Sequence, residues 1–337
     1  MSLKSIAAPF RYLSLFSGIG GFETAIGDRG ICLAYAEIDK NAIREYRRHY
    51  PKHTNLGDVA HITRKDIRAL GHIDIIVAGF PCNNLSSANH INRHGLDGSQ
   101  SGLFWNMLEI IKWVKQDNKN IKIIIENNAS MANKWRDEIT LQLKQVLKRP
   151  VSCNFIDSTL FVPQQRRRYY WTVGPPLILS PPRPNTVKSL TDILESPAKV
   201  KHLAIQDSVL KYKNVSPPQY SGSKGFYVIR CAGDTMCCKL EQMKKPSRWK
   251  SIDNYSYNKV ARCVTTKKAN NILFDFRLCN TKIQFVPRYF SKCEFSRLFG
   301  FPDDYVETEM STVYQKLFGM SVVVPVIDAI IQALLKP

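Results

Sequence analysis

Two short runs dense in β-branched residues, Ile73–Ala78 (IDIIVA) and Ile121–Ile125 (IKIII), constrain this chain more than any other feature. A strand with so little polar alternation must be covered on both faces, which is the situation of a central strand in a parallel sheet. Between the two runs, Gly102–Lys115 places Leu103, Met107, Ile110, Ile111 and Val114 at helical spacing. The same alternation starts earlier. Tyr12–Phe16 (YLSLF) reads as a strand, Gly21–Ile26 opens a helix, Cys32–Glu37 reads as the next strand, and Asn41–Tyr50 has helical spacing. Strands alternating with helices predict an α/β fold with a doubly wound, Rossmann-like, mostly parallel sheet. A chain of 337 residues, 44% of them hydrophobic, has room for one large domain and a smaller one.

The texture changes at Pro175. Pro175, Pro176, Pro181, Pro182 and Pro184 fall within ten residues and can continue neither a helix nor a central strand. The expected division is therefore a main domain over 1–175 and 287–337, interrupted by a smaller, irregular one over 176–286. Within the smaller one, Gly225–Ile229 and Asn271–Phe276 look like short strands. Beyond Arg288 helical spacing returns, and Val322–Leu335 reads as a core helix packed back on the first domain.

Charge narrows the partner. Lys and Arg number 48 against 28 Asp and Glu, a net charge of +20, with a pI near 9.6. Such a field favours polyanions, nucleic acid first and anionic membrane second. No basic amphipathic helix with a bulky apolar face stands out, and no uninterrupted apolar run reads as long enough to span a bilayer. The stretch 176–285 alone holds 19 Lys+Arg and 7 Asp+Glu, with Tyr212, Tyr220, Phe226, Tyr227, Trp249, Tyr255 and Tyr257 among them. Bases with interleaved aromatics suit phosphates and stacked bases, although a solvated loop region with its own small core would look similar. The nine cysteines lie scattered without the paired spacing of a zinc site, so reduced thiols in a cytosolic compartment and no metal are expected. Cys231, Cys237 and Cys238 read as packing residues.

The chemistry-bearing residues cluster at the ends of the strands. Phe16-Ser-Gly-Ile-Gly-Gly-Phe-Glu23 follows one strand and opens a helix. Gly18 and Gly20 let backbone approach a ligand, and Gly21 allows a tight entry into the helix. The spacing is not that of the dinucleotide fingerprint, and no phosphate-binding lysine follows. Glu37-Ile38-Asp39 ends the second strand, where an acid can bond ribose hydroxyls. Asp58, followed by Val59, is placed to take the exocyclic amine of adenine. Each acid alone could be solvated charge. Together they outline an adenosine pocket without a phosphate cradle, which suits S-adenosylmethionine better than NAD. Directly after IDIIVA comes Gly79-Phe80-Pro81-Cys82-Asn83-Asn84-Leu85-Ser86, with a cysteine behind a stiffening proline at the end of a parallel strand. That is a nucleophile's position, although a single cysteine is more often a structural thiol. Glu126, in Ile125-Glu126-Asn127-Asn128, would face Cys82 across the cleft, and Pro163-Gln164-Gln165-Arg166-Arg167-Arg168 brings a basic cluster to the same edge.

In this linear order the motifs resemble the cytosine-C5 DNA methyltransferase family over nearly the whole chain. FSGIGG is similar to its cofactor glycine motif, EID to its ribose-binding acid, GFPCNNLS to its nucleophile motif, ENN to its glutamate motif and PQQRRR to its Q-x-R-x-R motif. Arg297-Leu-Phe-Gly-Phe-Pro302 and Gly319-Met-Ser-Val322 resemble its last two motifs. The Pro-Cys-Asn spelling, the short variable region and LFGMSVVVPVI look closest to the eukaryotic de novo branch. Two positions depart from the family pattern: Asn128 stands where valine is usual, and Met320 where asparagine is usual.

The resemblance implies methyl transfer from S-adenosylmethionine, leaving S-adenosylhomocysteine, to C5 of a cytosine flipped out of double-stranded DNA. It implies Cys82 as nucleophile at C6, Glu126 at N3, Arg168 on the O2 side of the ring, Arg166 orienting Glu126, and Pro81 and Asn83 in the catalytic turn. It implies cofactor contacts from Phe16, Gly18, Ile19, Gly20, Gly21, Glu37, Ile38, Asp39, Asp58, Val59, Phe80, Leu103, Met320, Ser321 and Val322. Ser87–Ser101 becomes a mobile lid, 176–286 the target-recognition domain, and Thr265-Thr266-Lys267-Lys268 a support for it. The implied setting is intracellular, with a cognate restriction endonuclease as a partner that the residues themselves do not derive. A tRNA-directed enzyme of the same fold would carry a Cys-Phe-Thr signature, which is missing. A non-catalytic DNA-binding regulator would be expected to have lost Cys82 or Glu126, and an NAD oxidoreductase would need different glycine spacing.

Overall fold

The computed structural model describes residues 8–82, 85, 96, 102–180, 182, 189–200, 202, 226–229, 261, 272–275 and 286–336. The chain groups into two compact units. The first comprises 1–157, 167–180 and 321–337; the second comprises 158–166 and 181–320.

The first unit is built on a six-stranded sheet in the order β2-β1-β3-β4-β6-β5. Its strands are β1 (Phe10–Leu15), β2 (Gly30–Ala36), β3 (Ile75–Gly79), β4 (Lys122–Asn128), β5 (Val151–Asp157) and β6 (Arg167–Val173). β1 to β4 run parallel, and β6 and β5 close one edge antiparallel. The β-branched runs occupy the centre as expected: Ile75, Ile76, Val77, Ile123, Ile124 and Ile125 are all buried. Alternate side chains feed opposite faces. Leu13, Leu15, Ala34, Ile76, Ile123, Ile125 and Trp171 share one core with residues of α3 (Arg64–Ala69), α4 (Leu103–Asp117) and α5 (Asn133–Leu147). Elsewhere α1 (Gly21–Ile26) packs on the C-terminal helix Val324–Leu335, and Arg29 pairs with Asp328 at 2.6 Å beside that contact. α2 (Lys40–His49) lies along the outer strand β2, with Tyr46 stacked on Tyr35 at 3.8 Å.

The second unit holds a three-stranded antiparallel sheet of β7 (Phe226–Ile229), β8 (Ile272–Asp275) and β9 (Val286–Tyr289). Two short turns, α6 (Leu190–Ile193) and α7 (Pro197–Val200), precede it, and α8 (Lys292–Phe299) and α9 (Ser311–Met320) follow; the C-terminal helix is α10. Both expected short strands form. Residues 287–320 group by contact with the second unit. The reason is local packing. Phe295, Phe299, Phe301 and Phe318 form an aromatic cluster joining α8 to α9. At its base Arg288 and Glu294, both fully buried, pair through two bonds of 2.7 and 2.8 Å.

Ser311–Leu335 is long and apolar enough, by length and composition alone, to cross a bilayer. More than half of it is buried in protein and the helix breaks at 321–323, as a core segment does. Much of 176–285, with Thr265–Lys268 and Cys231, Cys237 and Cys238, lies outside the described residues, as does the expected lid apart from Leu96.

Candidate active site at the carboxyl edge of the sheet

The parallel register brings the strand ends level. Leu15 pairs with Ala36 on one side and Ala78 on the other, and Gly79 pairs with Glu126. The loops after β1, β2 and β3 and the end of β4 therefore share one edge, where a parallel α/β sheet places its chemistry.

After β1 the chain turns sharply. Phe16, Gly18 and Gly20 all have positive φ, at 55°, 57° and 91°. Left-handed backbone at Phe16 is costly for a side chain with a Cβ and persists only where the surroundings hold it. Here Ser17 supplies the hold: its amide and hydroxyl both donate to Ala36 O. Gly20 caps α1, and Ile19 is buried beneath the loop.

Glu37 ties this turn to the end of β2. Its Oε2 accepts the Gly18 amide at 2.8 Å, while Oε1 accepts the amides of Ile38 and Asp39, each at 2.8 Å. A carboxylate offers about four acceptor positions, so capacity remains for a hydroxyl donor. Ile38 beside it is 63% exposed, a flat apolar wall unusual for isoleucine in solvent. Asp39 and Asp58 lie at this edge too, and both serve the backbone. Asp39 accepts from Asn41 and Ala42 as the cap of α2, and Asp58 accepts from Ala60 at the turn containing buried Val59. Sequence reasoning missed Asn55. Its side chain accepts from the Glu37 and Gly57 amides and donates to Glu37 O, fixing the acid in place. The Asn-Leu-Gly turn spelling was the available signal.

The nucleophile candidate follows β3. Phe80 is buried, its carbonyl accepts the Asn127 amide nitrogen at 3.0 Å, and Leu85 N donates to Cys82 O at 3.0 Å. Cys82 is a half-buried reduced thiol. Cys32 and Cys153 are pushed up to about 12 by burial, and burial also raises Cys293. Those three behave as inert packing thiols at neutral pH. Asn83 lies outside the described residues.

Glu126 stands inside β4 rather than beyond it, because β6 extends the ladder to Asn128. Glu126 is opposite Tyr170 and Asn128 opposite Arg168, so Arg168 is the diagonal neighbour of Glu126 on one face. Its Nε meets Glu126 Oε1 at 2.7 Å, with both side chains about nine-tenths buried. Gly79 is the neighbour across the ladder: a Cβ there would sit in ordinary contact, 3.5 Å from Glu126 Oε2. The Q-x-R-x-R stretch straddles the two units. Within the second, Gln164 donates to Leu298 O, and buried Arg166 donates to Gly319 O at 2.9 Å while lying over the Phe299 ring. Met320, also in the second unit, ends α9 half-exposed. In the first unit Leu103 opens α4, and Ser321 and Val322 are buried before α10. No metal-ligating group of three or more side chains occurs among the described residues.

A parallel α/β sheet with a glycine turn, an anchored acid and a thiol lined up along one edge defines the nucleoside-cofactor class of enzyme folds. The chain belongs to the C-5 cytosine-specific DNA methylase family, which matches residues 10–336. It is 25% identical over 339 residues to the type II methyltransferase M.DsaV of Dactylococcopsis salina, covering 97% of this chain and 86% of that one. It is 32% identical over 163 residues to M2.BsuMI of Bacillus subtilis, covering 47% of this chain and 40% of the relative. Against the rice DNA (cytosine-5)-methyltransferase DRM1A it is 36% identical over 115 residues, 31% of this chain. The matched part is only about a quarter of the rice protein (24%). Among solved structures, Spodoptera frugiperda DNMT2 and Schizosaccharomyces pombe Dnmt2 share the fold. Each gives a TM-score of 0.64 at 19% identity over 97% of this chain, and covers 100% and 98% of the respective structure.

Proposed function

We propose that the protein is a DNA (cytosine-5-)-methyltransferase, working inside the cell on double-stranded DNA with S-adenosylmethionine as donor. The observation that carries the reading is the Glu126–Arg168 pair, set by strand register level with the turn that bears Cys82. A ring-binding carboxyl, a guanidinium and a thiol at one strand edge are what attack on an electron-poor pyrimidine requires.

The adenosine part of the donor suits the residues present. The glycine turn leaves open space where a Cβ at Gly18 would stand, Glu37 keeps acceptor capacity, and exposed Ile38 offers an apolar wall. When bound, the donor supplies a methyl group on a sulfonium. The rest is done by the chain. Cytosine C5 is a poor nucleophile, and the Cys82 thiolate bonds to C6, breaking aromaticity and making C5 an enamine carbon. Glu126 shares a proton with N3 so that charge developing on the ring is neutralised, and Arg168 holds that carboxyl in place while facing the O2 side. C5 takes the methyl, its proton leaves to solvent, and the C6–sulfur bond breaks to return the thiolate. Flipping the base from the stack costs a few kcal/mol, offset by contacts in the pocket. The 176–286 region reads the target sequence.

The test is transfer of tritiated methyl to unmethylated duplex DNA, with Cys82→Ala alongside. Label recovered as 5-methylcytosine from the native protein alone is the expected result. Label on tRNA and none on DNA would move the substrate to RNA. Cofactor binding with no transfer to either would leave a non-catalytic binder.

A further inference from the structure

The first unit carries a charged surface that the site does not use, the outer face of α2. Lys40, Arg44, Arg47 and Arg48 are exposed and recur at i, i+4, i+7 and i+8, which aligns them in one stripe. Exposed Lys52 continues it past the helix. The opposite face buries Ala42, Glu45 and Tyr46. Between residues 40 and 57 the one acid is Glu45. Its side chain is 1% exposed, with the guanidinium groups of Arg44 at 3.3 Å and Arg48 at 3.5 Å, so it offsets part of their charge from beneath and shows none of its own to solvent.

Helix energetics does not ask for this arrangement. Cations in the last turn, Arg47 and Arg48, are favoured by the macrodipole, but Lys40 at the first position is disfavoured, and Asp39, the acid before it, is occupied as the cap by the amides of Asn41 and Ala42. The like pairs Lys40–Arg44 and Arg44–Arg48 at i, i+4 each oppose the helix. The stripe also points away from the chemistry. α2 starts beside Glu37 and runs back along β2, bringing the Tyr46 hydroxyl to 3.9 Å from Cys32 near the strand's other end. An anionic bilayer would call for apolar side chains on the exposed face, and those of α2 are turned inward.

We propose that the outer face of α2 with Lys52 is a second nucleic-acid surface, which docks the phosphate backbone of duplex DNA independently of sequence and apart from the methylation site. This rests on the proposed function in taking DNA as the polyanion. Such a surface keeps the enzyme on DNA between target sites and adds affinity only where the duplex is long enough to reach it.

The experiment compares native protein with Arg44→Gln/Arg47→Gln/Lys52→Gln, which retains Arg48 as the partner of Glu45. Binding is measured against salt on a short duplex spanning the target site alone and on a duplex of several helical turns. On the long duplex the variant should lose about 2–3 from the slope of log K against log salt, at about 0.9 per phosphate contact. Its short-duplex affinity and methyl transfer, measured where it is fully folded, should equal those of the native protein. Arg44→Lys/Arg47→Lys should bind the long duplex like native protein. Equal slopes for native and triple variant on the long duplex would overturn the proposal. So would native capture of phosphatidylserine vesicles that the variant loses while DNA binding stays unchanged. Native protein that binds neither duplex would sink the methyltransferase reading as well, whereas methylation of both duplexes with equal slopes would sink this inference alone.

Discussion

Removing Arg168 should cost more than removing its contacts, because it strands a carboxylate. At 2.7 Å the gross attraction between Arg168 and Glu126 is about 6 kcal/mol at an effective dielectric near 20, most of it offset by desolvation of both groups. Breaking a buried pair from one side typically costs about 3–5 kcal/mol, since the surviving charge has lost its partner. The two side chains retain 11% and 12% exposure, so Arg168→Met should fall at the low end, about 3 kcal/mol. Glu126→Gln should cost less, about 2 kcal/mol, as Arg168 keeps its bond to Arg167 O at 2.8 Å. The double variant should be far less damaged than the sum, with a coupling energy of about 2 kcal/mol in magnitude. Urea denaturation of the four proteins closes the cycle. Additivity within about 0.5 kcal/mol would refute the argument, because it would mean the pair carries no energy of its own.

Other perturbations test other parts of the molecule. Glu23 is buried with no hydrogen bond to either carboxyl oxygen, and burial pushes it up to about 7, tempered by the nearby Ser14 and Tyr46 hydroxyls. A raised carboxyl binds its proton more tightly in the folded state. Stability should be fully present below about 4.5, fall as pH rises and level off above about 7, a change near 3 kcal/mol at about 1.4 kcal/mol per pH unit. Neighbouring Tyr12, Cys32 and Tyr46 stay neutral throughout this window, so Glu23→Gln should flatten that part of the urea-midpoint profile between pH 5 and pH 8; an unchanged profile would count against it. Arg288→Met should destabilise the second unit by about 3–5 kcal/mol, because Glu294 is fully buried and keeps only neutral donors from Ser291 and Glu195; calorimetry with a loss under about 1 kcal/mol would reject this. Met320→Asn should alter S-adenosylmethionine affinity by about 1 kcal/mol, one polar contact, as read by titration calorimetry; equal dissociation constants would reject it.

What the sequence showed and what it hid divide along physical lines. Ile75–Val77 and Ile123–Ile125 were legible as central strands because burial on both faces forces apolar runs, and the glycine turn because positive φ at Gly18 and Gly20 favours glycine. The antiparallel β5–β6 pair was harder to read: Asn154 is buried in it, bonded to Tyr170 O and Thr172 Oγ1, so polar residues sit where a core strand would show apolar ones. Glu126 could be picked out as a chemical group, but its partner could not, since the diagonal to Arg168 depends on a cross-strand register spanning forty residues of chain. The grouping of 287–320 has a similar basis. Helical spacing identified α8 and α9 as helices, while the aromatic cluster that decides what they pack against is a tertiary fact. Asn55 makes the point at the site itself. A residue that reads as a turn former makes two hydrogen bonds to the backbone of Glu37 and a third within its own turn, so the acid's placement depends on a side chain eighteen positions downstream.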